Sequence, residues 1–185
     1  VPPVKQTKFL NTLRYCLLCR RGIAAVEFAL IVPFIATLYL GSIAAFDAIR
    51  AERQVNLAAD TLADLISRER DEANDGFRDD MFSTAAALLG RFTNAGTLGI
   101  VMTSVINDDG NITVAWSESN GGALNLEDRD LIELSLPTIP EDESVILVTV
   151  STRYAPILVD TIFNMINYSD TVIARPRFLA QIPYR

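Results

Sequence analysis

Residues 21–46 read Arg21-Gly22-Ile23-Ala24-Ala25-Val26-Glu27-Phe28-Ala29-Leu30-Ile31-Val32-Pro33-Phe34-Ile35-Ala36-Thr37-Leu38-Tyr39-Leu40-Gly41-Ser42-Ile43-Ala44-Ala45-Phe46. From Ile23 to Phe46 the only charge is Glu27. As an α-helix the run is roughly 36 Å long, enough to cross a hydrocarbon core of about 30 Å. A helix lying on a soluble core shows polar residues every three or four positions, and this one does not. The run predicts a transmembrane helix over 23–46.

Its flanks set an orientation. Lys5, Lys8, Arg14, Arg20 and Arg21 precede it with no acidic residue among them, and Asp47, Arg50, Glu52 and Arg53 after it cancel. The positive-inside bias puts residues 1–22 in the cytoplasm as a basic leader and residues 47–185 across the membrane. A secretory signal peptide has the same basic start. Its apolar region is only about 7–15 residues and ends in a small-x-small cleavage site, which Ala44-Ala45-Phe46 matches weakly. The reading is therefore a retained anchor.

Glu27 has two readings. It lies one turn into the run, so its carboxylate could snorkel toward the headgroups, which lowers the cost of an intramembrane charge. Alternatively, it has a partner. A cut between Gly22 and Ile23 would create an Ile23 amine one helical turn away. The amine of a neighbouring subunit could then neutralise the carboxylate and fix the register between chains.

Arg21-Gly22-Ile23-Ala24-Ala25-Val26-Glu27-Phe28-Ala29-Leu30-Ile31-Val32-Pro33 resembles the start of the TadE/TadG-like family. These are minor pilins, or pseudopilins, of the bacterial tight-adherence (Tad, Flp-type) pilus machinery. The likeness lies in a basic pair, a Gly, Ala-Val-Glu-Phe-Ala-Leu, further apolar residues and a proline. A weaker likeness continues through Arg53-Gln54-Val55-Asn56-Leu57-Ala58-Ala59-Asp60. The resemblance implies a pilin-like fold, cleavage after Gly22 by a prepilin peptidase, and a need for Glu27, beside Phe28, in processing or assembly. The implied partners are other pilin subunits, the Tad assembly platform, the peptidase and membrane lipid. The implied address is the inner membrane, single-pass, with incorporation into an extracellular pilus. Some relatives keep their N-terminal region, so a permanently anchored periplasmic scaffold of the same apparatus is the alternative.

Pro33 removes an amide proton and kinks ordinary helix interiors. Membrane helices tolerate it, so it reads either as a bend about one-third of the way along or as an ordinary transmembrane proline. Gly41 and Ala45 form a small-xxx-small pair that permits close helix packing.

The chain carries a net charge of −7, and its five leader cations leave −12 for everything after Gly22. An outer domain so acidic is a poor partner for nucleic acid or anionic lipid, which call for Lys/Arg clusters. Cys16-x-x-Cys19 is half a zinc site at most. The chain has no histidine and no third cysteine, and no metal or other cofactor is expected. The histidine that most often serves as general base is missing. Neither a phosphate-cradling glycine loop nor a Gly-x-Ser-x-Gly elbow is present, so no enzyme is expected. Asp108, Asp109 and Asn111 lack the remainder of a calcium loop. Glu141-Asp142-Glu143 and the acidic stretch from Asp71 to Asp80 read as solvated surface.

Periodicity gives the remaining expectations. Val55, Ala58, Ala59, Leu62, Leu65 and Ile66 lie on one helical stripe, so the helix continues to about Arg70. Glu69–Asp80 reads as a charged loop and Met81–Phe92 as a second helix. Gly99–Ile106 and Ile112–Ser117 form a hairpin about Asp109-Gly110. A short helix follows over Leu126–Leu131, and Ser144–Tyr154 is the strongest strand. Pro156 opens a helix over Ile157–Ile166. Thr171–Leu179 is a last strand, interrupted by Pro176. Residues 47–95 are thus expected to be helical and 98–185 mainly strands. The fold class is α+β, with one long helix packed on an antiparallel sheet of about four strands.

Overall fold

The computed structural model describes residues 23–93, 97–154 and 165–185. Helix α1 spans Ile23–Ser67 without interruption, with Pro33 inside it. The chain divides into two compact units between Ala45 and Phe46. Within the second unit α1 buries Asp47, Ala51, Val55, Ala58, Ala59, Leu62, Ala63, Ile66 and Ser67. Their spacing of one, three and four residues is that of a single helix face. The helix ends at Ser67, three residues before the expected end. There the amides of Arg68 and Glu69 bond the carbonyls of Leu65 and Ile66, three residues back, which tightens the last turn.

Helix α2 spans Asp75–Leu89, so the expected charged loop is already helical over its second half. The Asn74 side chain accepts from the Phe77 amide at 3.0 Å and caps the helix. Asp75, Asp79 and Asp80 occupy its first turns, where the helix dipole favours negative charge. The charge run read as solvated loop is thus partly a helix start. Gly90 ends α2 at φ +50°, and a 3-10 turn, Gly90–Phe92, follows.

Four strands form one antiparallel sheet in the order β2-β1-β3-β4. They are β1 (Leu98–Asp108), β2 (Asn111–Asn120), β3 (Ser144–Tyr154) and β4 (Ile166–Ala174). Asp109 and Gly110 make the two-residue β1–β2 turn at φ +50° and +84°, the left-handed geometry a tight hairpin needs. Pairing shifts between Ser104 and Val105, which face Trp116 and Val114, so Ala115 is the extra residue of a bulge. The hairpin extends three residues beyond the expected end, to Asn120. The expected short helix is a 3-10 turn at Asp128–Glu133. The expected helix Ile157–Ile166 falls mostly outside the described residues, and Ile166 itself begins β4.

The last strand lies five residues earlier than expected. β4 ends at Ala174, before Pro176, which has no amide to give a ladder. Beyond it the chain leaves the sheet and runs along the helices. The Arg177 amide bonds the Ser67 carbonyl at 2.8 Å, and Ala73 bonds Pro183 and Arg185. Trp116 Nε1 donates to the Ile182 carbonyl at 2.7 Å.

One sheet face packs on the helices. Ile100, Met102, Ile146, Val148 and Val150 meet Val55, Ala58, Leu62 and Ile66 of α1 and Phe82, Ala85 and Leu89 of α2. The opposite face carries a smaller cluster, in which Leu131 and Ile139 cover Val105, Val145 and Leu147. The protein is α+β, with a long N-terminal helix packed on a four-stranded antiparallel sheet.

Candidate functional site

The first half of α1 is the chain's most distinctive surface. Every residue from Ile23 to Ile43 is exposed, including Phe28 at 68 % and Ile23 at 55 %. Among the described residues this is one helix long and apolar enough to cross a membrane. Two of its hydroxyls bond the helix's own backbone. Thr37 Oγ1 donates to the Pro33 carbonyl at 2.8 Å, and Ser42 Oγ donates to the Leu38 carbonyl at 2.8 Å. Such bonds to the carbonyl four residues back satisfy a hydroxyl without water, as lipid demands.

The residues singled out from the sequence fall along this segment. Gly22 lies outside the described residues. Ile23 is the first residue of α1, and Glu27 and Phe28 are exposed one turn later. Glu27 has no hydrogen bond or ion pair to another described residue. Pro33 sits within continuous helix.

Where the second unit begins, α1 is tied down by Asp47. Its side chain is only 10 % exposed. Oδ1 accepts from Arg91 Nη2 at 2.6 Å, and Oδ2 accepts from the Tyr154 hydroxyl at 2.6 Å. Arg91 belongs to the 3-10 turn and Tyr154 to the end of β3, so one carboxylate joins three elements. The Arg91 guanidinium lies 4.7 Å from the centre of the Phe92 ring. That ring meets Tyr154 edge-on at 5.3 Å. Burial, followed by the hydrogen bond and charge of Asp47, pushes the Tyr154 phenol up to about 12. With both oxygens engaged, Asp47 is a structural tie. Sequence reasoning missed this tie, because Asp47 is 44 residues from Arg91 and 107 from Tyr154. The one available signal was a carboxylate placed directly after the apolar run.

Among the described residues no group of three His, Cys, Asp or Glu side chains is placed to hold a metal ion. Asp108 and Asp109 lie at the β1–β2 turn, and Glu143 faces Arg175 at 3.8 Å.

Compared with family models, curated proteins and solved structures, the chain finds no match. Its architecture, a long apolar N-terminal helix followed by a four-stranded antiparallel sheet, is pilin-like.

Proposed function

We propose that this protein is a minor pilin, or pseudopilin, of a Tad-type pilus. It is held in the inner membrane by residues 23–46, with its leader in the cytoplasm and its α+β domain outside. The observation that carries this reading is Glu27. It is the single charge of the apolar run, exposed on α1 one turn from Ile23, and without a partner among the described residues. A carboxylate in lipid needs a cation. The amine released by a cut between Gly22 and Ile23 supplies one on a neighbouring subunit. Assembly then moves the apolar helix from lipid into a bundle of pilin helices, with Glu27 setting the register and Phe28 beside it in the packing. The pilin-like fold and the sequence around Gly22 support the same reading. A prepilin peptidase, other pilin subunits and the Tad assembly platform are its partners.

The test is the N-terminal residue of the protein isolated from its own membranes. The proposal expects Ile23. An intact leader would make the chain a permanently anchored scaffold, and a start near Asp47 would make residues 23–46 a signal peptide. Glu27→Ala should abolish or sharply lower pilus output. Unchanged output would leave Glu27 as a snorkelling carboxylate.

A further inference from the structure

The charge of the outer domain is unevenly distributed. Beyond Gly22 the chain is strongly acidic, and it has arginines but no lysine there. Arg68, Arg78, Arg129, Arg175, Arg177 and Arg185 each lie within ion-pair distance of a carboxylate. Like Arg70 and Arg153, the neighbours Arg50 and Arg53 have no ion pair among the described residues. They stand three positions apart on α1 and so share a side of the helix, while Glu52, adjacent in sequence, points elsewhere. The fold adds Arg91 to them from the 3-10 turn. Together with Gln54 and Phe92, the three arginines line an open cleft of about 500 Å³.

Two of the lining groups are held in place. Arg91 is fixed by Asp47 and by the Phe92 ring. Its bond to Asp47 uses one of five guanidinium donors and leaves others free. Gln54 Nε2 is bound to the Leu88 carbonyl at 2.6 Å. Guanidinium forks match the geometry of phosphate oxygens and bind them with paired hydrogen bonds.

The position of the cleft indicates which phosphate it meets. Arg50 and Arg53 follow Phe46, the last residue of the apolar run, by four and seven residues. Along a helix that is roughly 6 and 10 Å. The headgroup layer beyond the hydrocarbon is about 5–8 Å thick on each side, within reach of an arginine side chain.

We propose that Arg50, Arg53 and Arg91 form a binding site for the phosphate of an anionic lipid headgroup in the leaflet facing the outer domain. The proposal rests on the membrane-anchored reading given above. It departs from the whole-domain charge, which argued against anionic lipid. A net charge averages over the surface, whereas a headgroup meets only the residues at its own depth.

The full-length chain, extracted in detergent and given equal amounts of phosphatidylglycerol and phosphatidylcholine, tests this by native mass spectrometry. The wild type should retain phosphatidylglycerol preferentially. Arg50→Gln combined with Arg53→Gln should lower that preference roughly ten-fold or more, since each arginine near an anionic surface contributes on the order of five-fold. The leader cations are common to both proteins, so the difference between them reports the cleft. Arg50→Lys with Arg53→Lys should keep part of the preference, because charge is retained and the fork is lost. Arg129→Gln, which removes a cation outside the cleft, should change nothing. An unchanged preference in the Gln double variant would overturn the proposal. So would saturation of the wild-type cleft by micromolar inorganic phosphate with equal retention of the two lipids, which would make the ligand a soluble anion. Alkaline carbonate extraction separates the two claims. A wild-type chain that stays in the membrane but shows no arginine-dependent lipid preference overturns the headgroup site alone. A wild-type chain released by carbonate overturns the anchor reading as well.

Discussion

Along α1, all residues from Ile23 to Ile43 are exposed, while nine between Asp47 and Ser67 are buried on one face. The first stretch is apolar all round the helix. The second alternates an apolar stripe of Ala51, Val55, Ala58, Ala59 and Leu62 with charged positions such as Glu52, Arg53 and Asp60. The same helix therefore presents two kinds of surface. Where every face is apolar, Thr37 and Ser42 turn their hydroxyls back onto the helix's own carbonyls, and the whole circumference is exposed. Where one face is apolar, it is covered by β1, β3 and α2 of the same chain. The change comes at Asp47, the first buried residue of α1 and the one whose carboxylate ties the helix to the rest of its unit.

The largest effect should separate these stretches directly. Leu62 is fully buried in the main core, so Leu62→Ala should destabilise the outer domain by about 2–5 kcal/mol. Leu38→Ala, in the exposed apolar stretch, should leave its denaturation midpoint unchanged. Urea denaturation of the full chain in micelles, followed by Trp116 fluorescence, measures both. Equal losses would mean that the apolar stretch also packs on the domain.

Asp47→Ala strikes the boundary itself. It leaves Arg91 and the Tyr154 hydroxyl without their acceptor, and should cost about 1–3 kcal/mol. In the same titration, a change below about 0.5 kcal/mol would show that the tie behaves like an exposed ion pair. A smaller loss, about 1 kcal/mol, is expected for Asn74→Ala, which removes the α2 cap without touching α1. A matching loss of helical ellipticity on heating would locate it.

The tie also predicts an alkaline dependence. Tyr154 and Tyr184 titrate at about 12 in the folded protein, above their ordinary value of 10.0. Burial leads both shifts, and the acceptors Asp47 and Asp75 add to it. The folded state holds these phenol protons more tightly than the unfolded one. The resulting stabilisation is complete below pH 10 and is lost as pH rises toward 12. Tyr154→Phe should make this alkaline decline shallower and leave the share of Tyr184. A stability curve of unaltered slope between pH 9.5 and about 11.5 would remove Tyr154 from the account.

Much of this division was legible in the sequence. The apolar run, the stripe from Val55 to Ile66 except for Leu65, which stands exposed where Ala63 is buried, the Asp109-Gly110 hairpin and strand Ser144–Tyr154 all follow from local periodicity and turn chemistry. Their physics is contained within a few neighbouring residues. The start of α2 was hidden because Asn74 and Asp75 belong to a charge run, and a cap differs from a loop only in where the backbone turns. The bounds of β4 are hidden because a proline marks an interrupted strand and the end of one alike, and here Pro176 lies just beyond the end. The Asp47 tie and the arginine cleft were out of reach, since both depend on Arg91 arriving beside α1. That placement is set by α2 and its glycine stop rather than by any local pattern.

The most direct test of two environments along one helix is a spin-label scan of the full chain in lipid nanodiscs. Cys16 and Cys19 would be replaced by serine, and single labels placed at Leu30, Leu38, Ile43, Ile49, Arg53 and Leu57. Collision with dissolved oxygen and with a polar nickel chelate reports lipid and water, respectively. High oxygen and low nickel access is predicted from Leu30 to Ile43, inverting between Ile43 and Ile49 and staying inverted through Leu57. Equal nickel access at Leu30, Leu38 and Leu57 would contradict the account, because the apolar stretch would then stand in water.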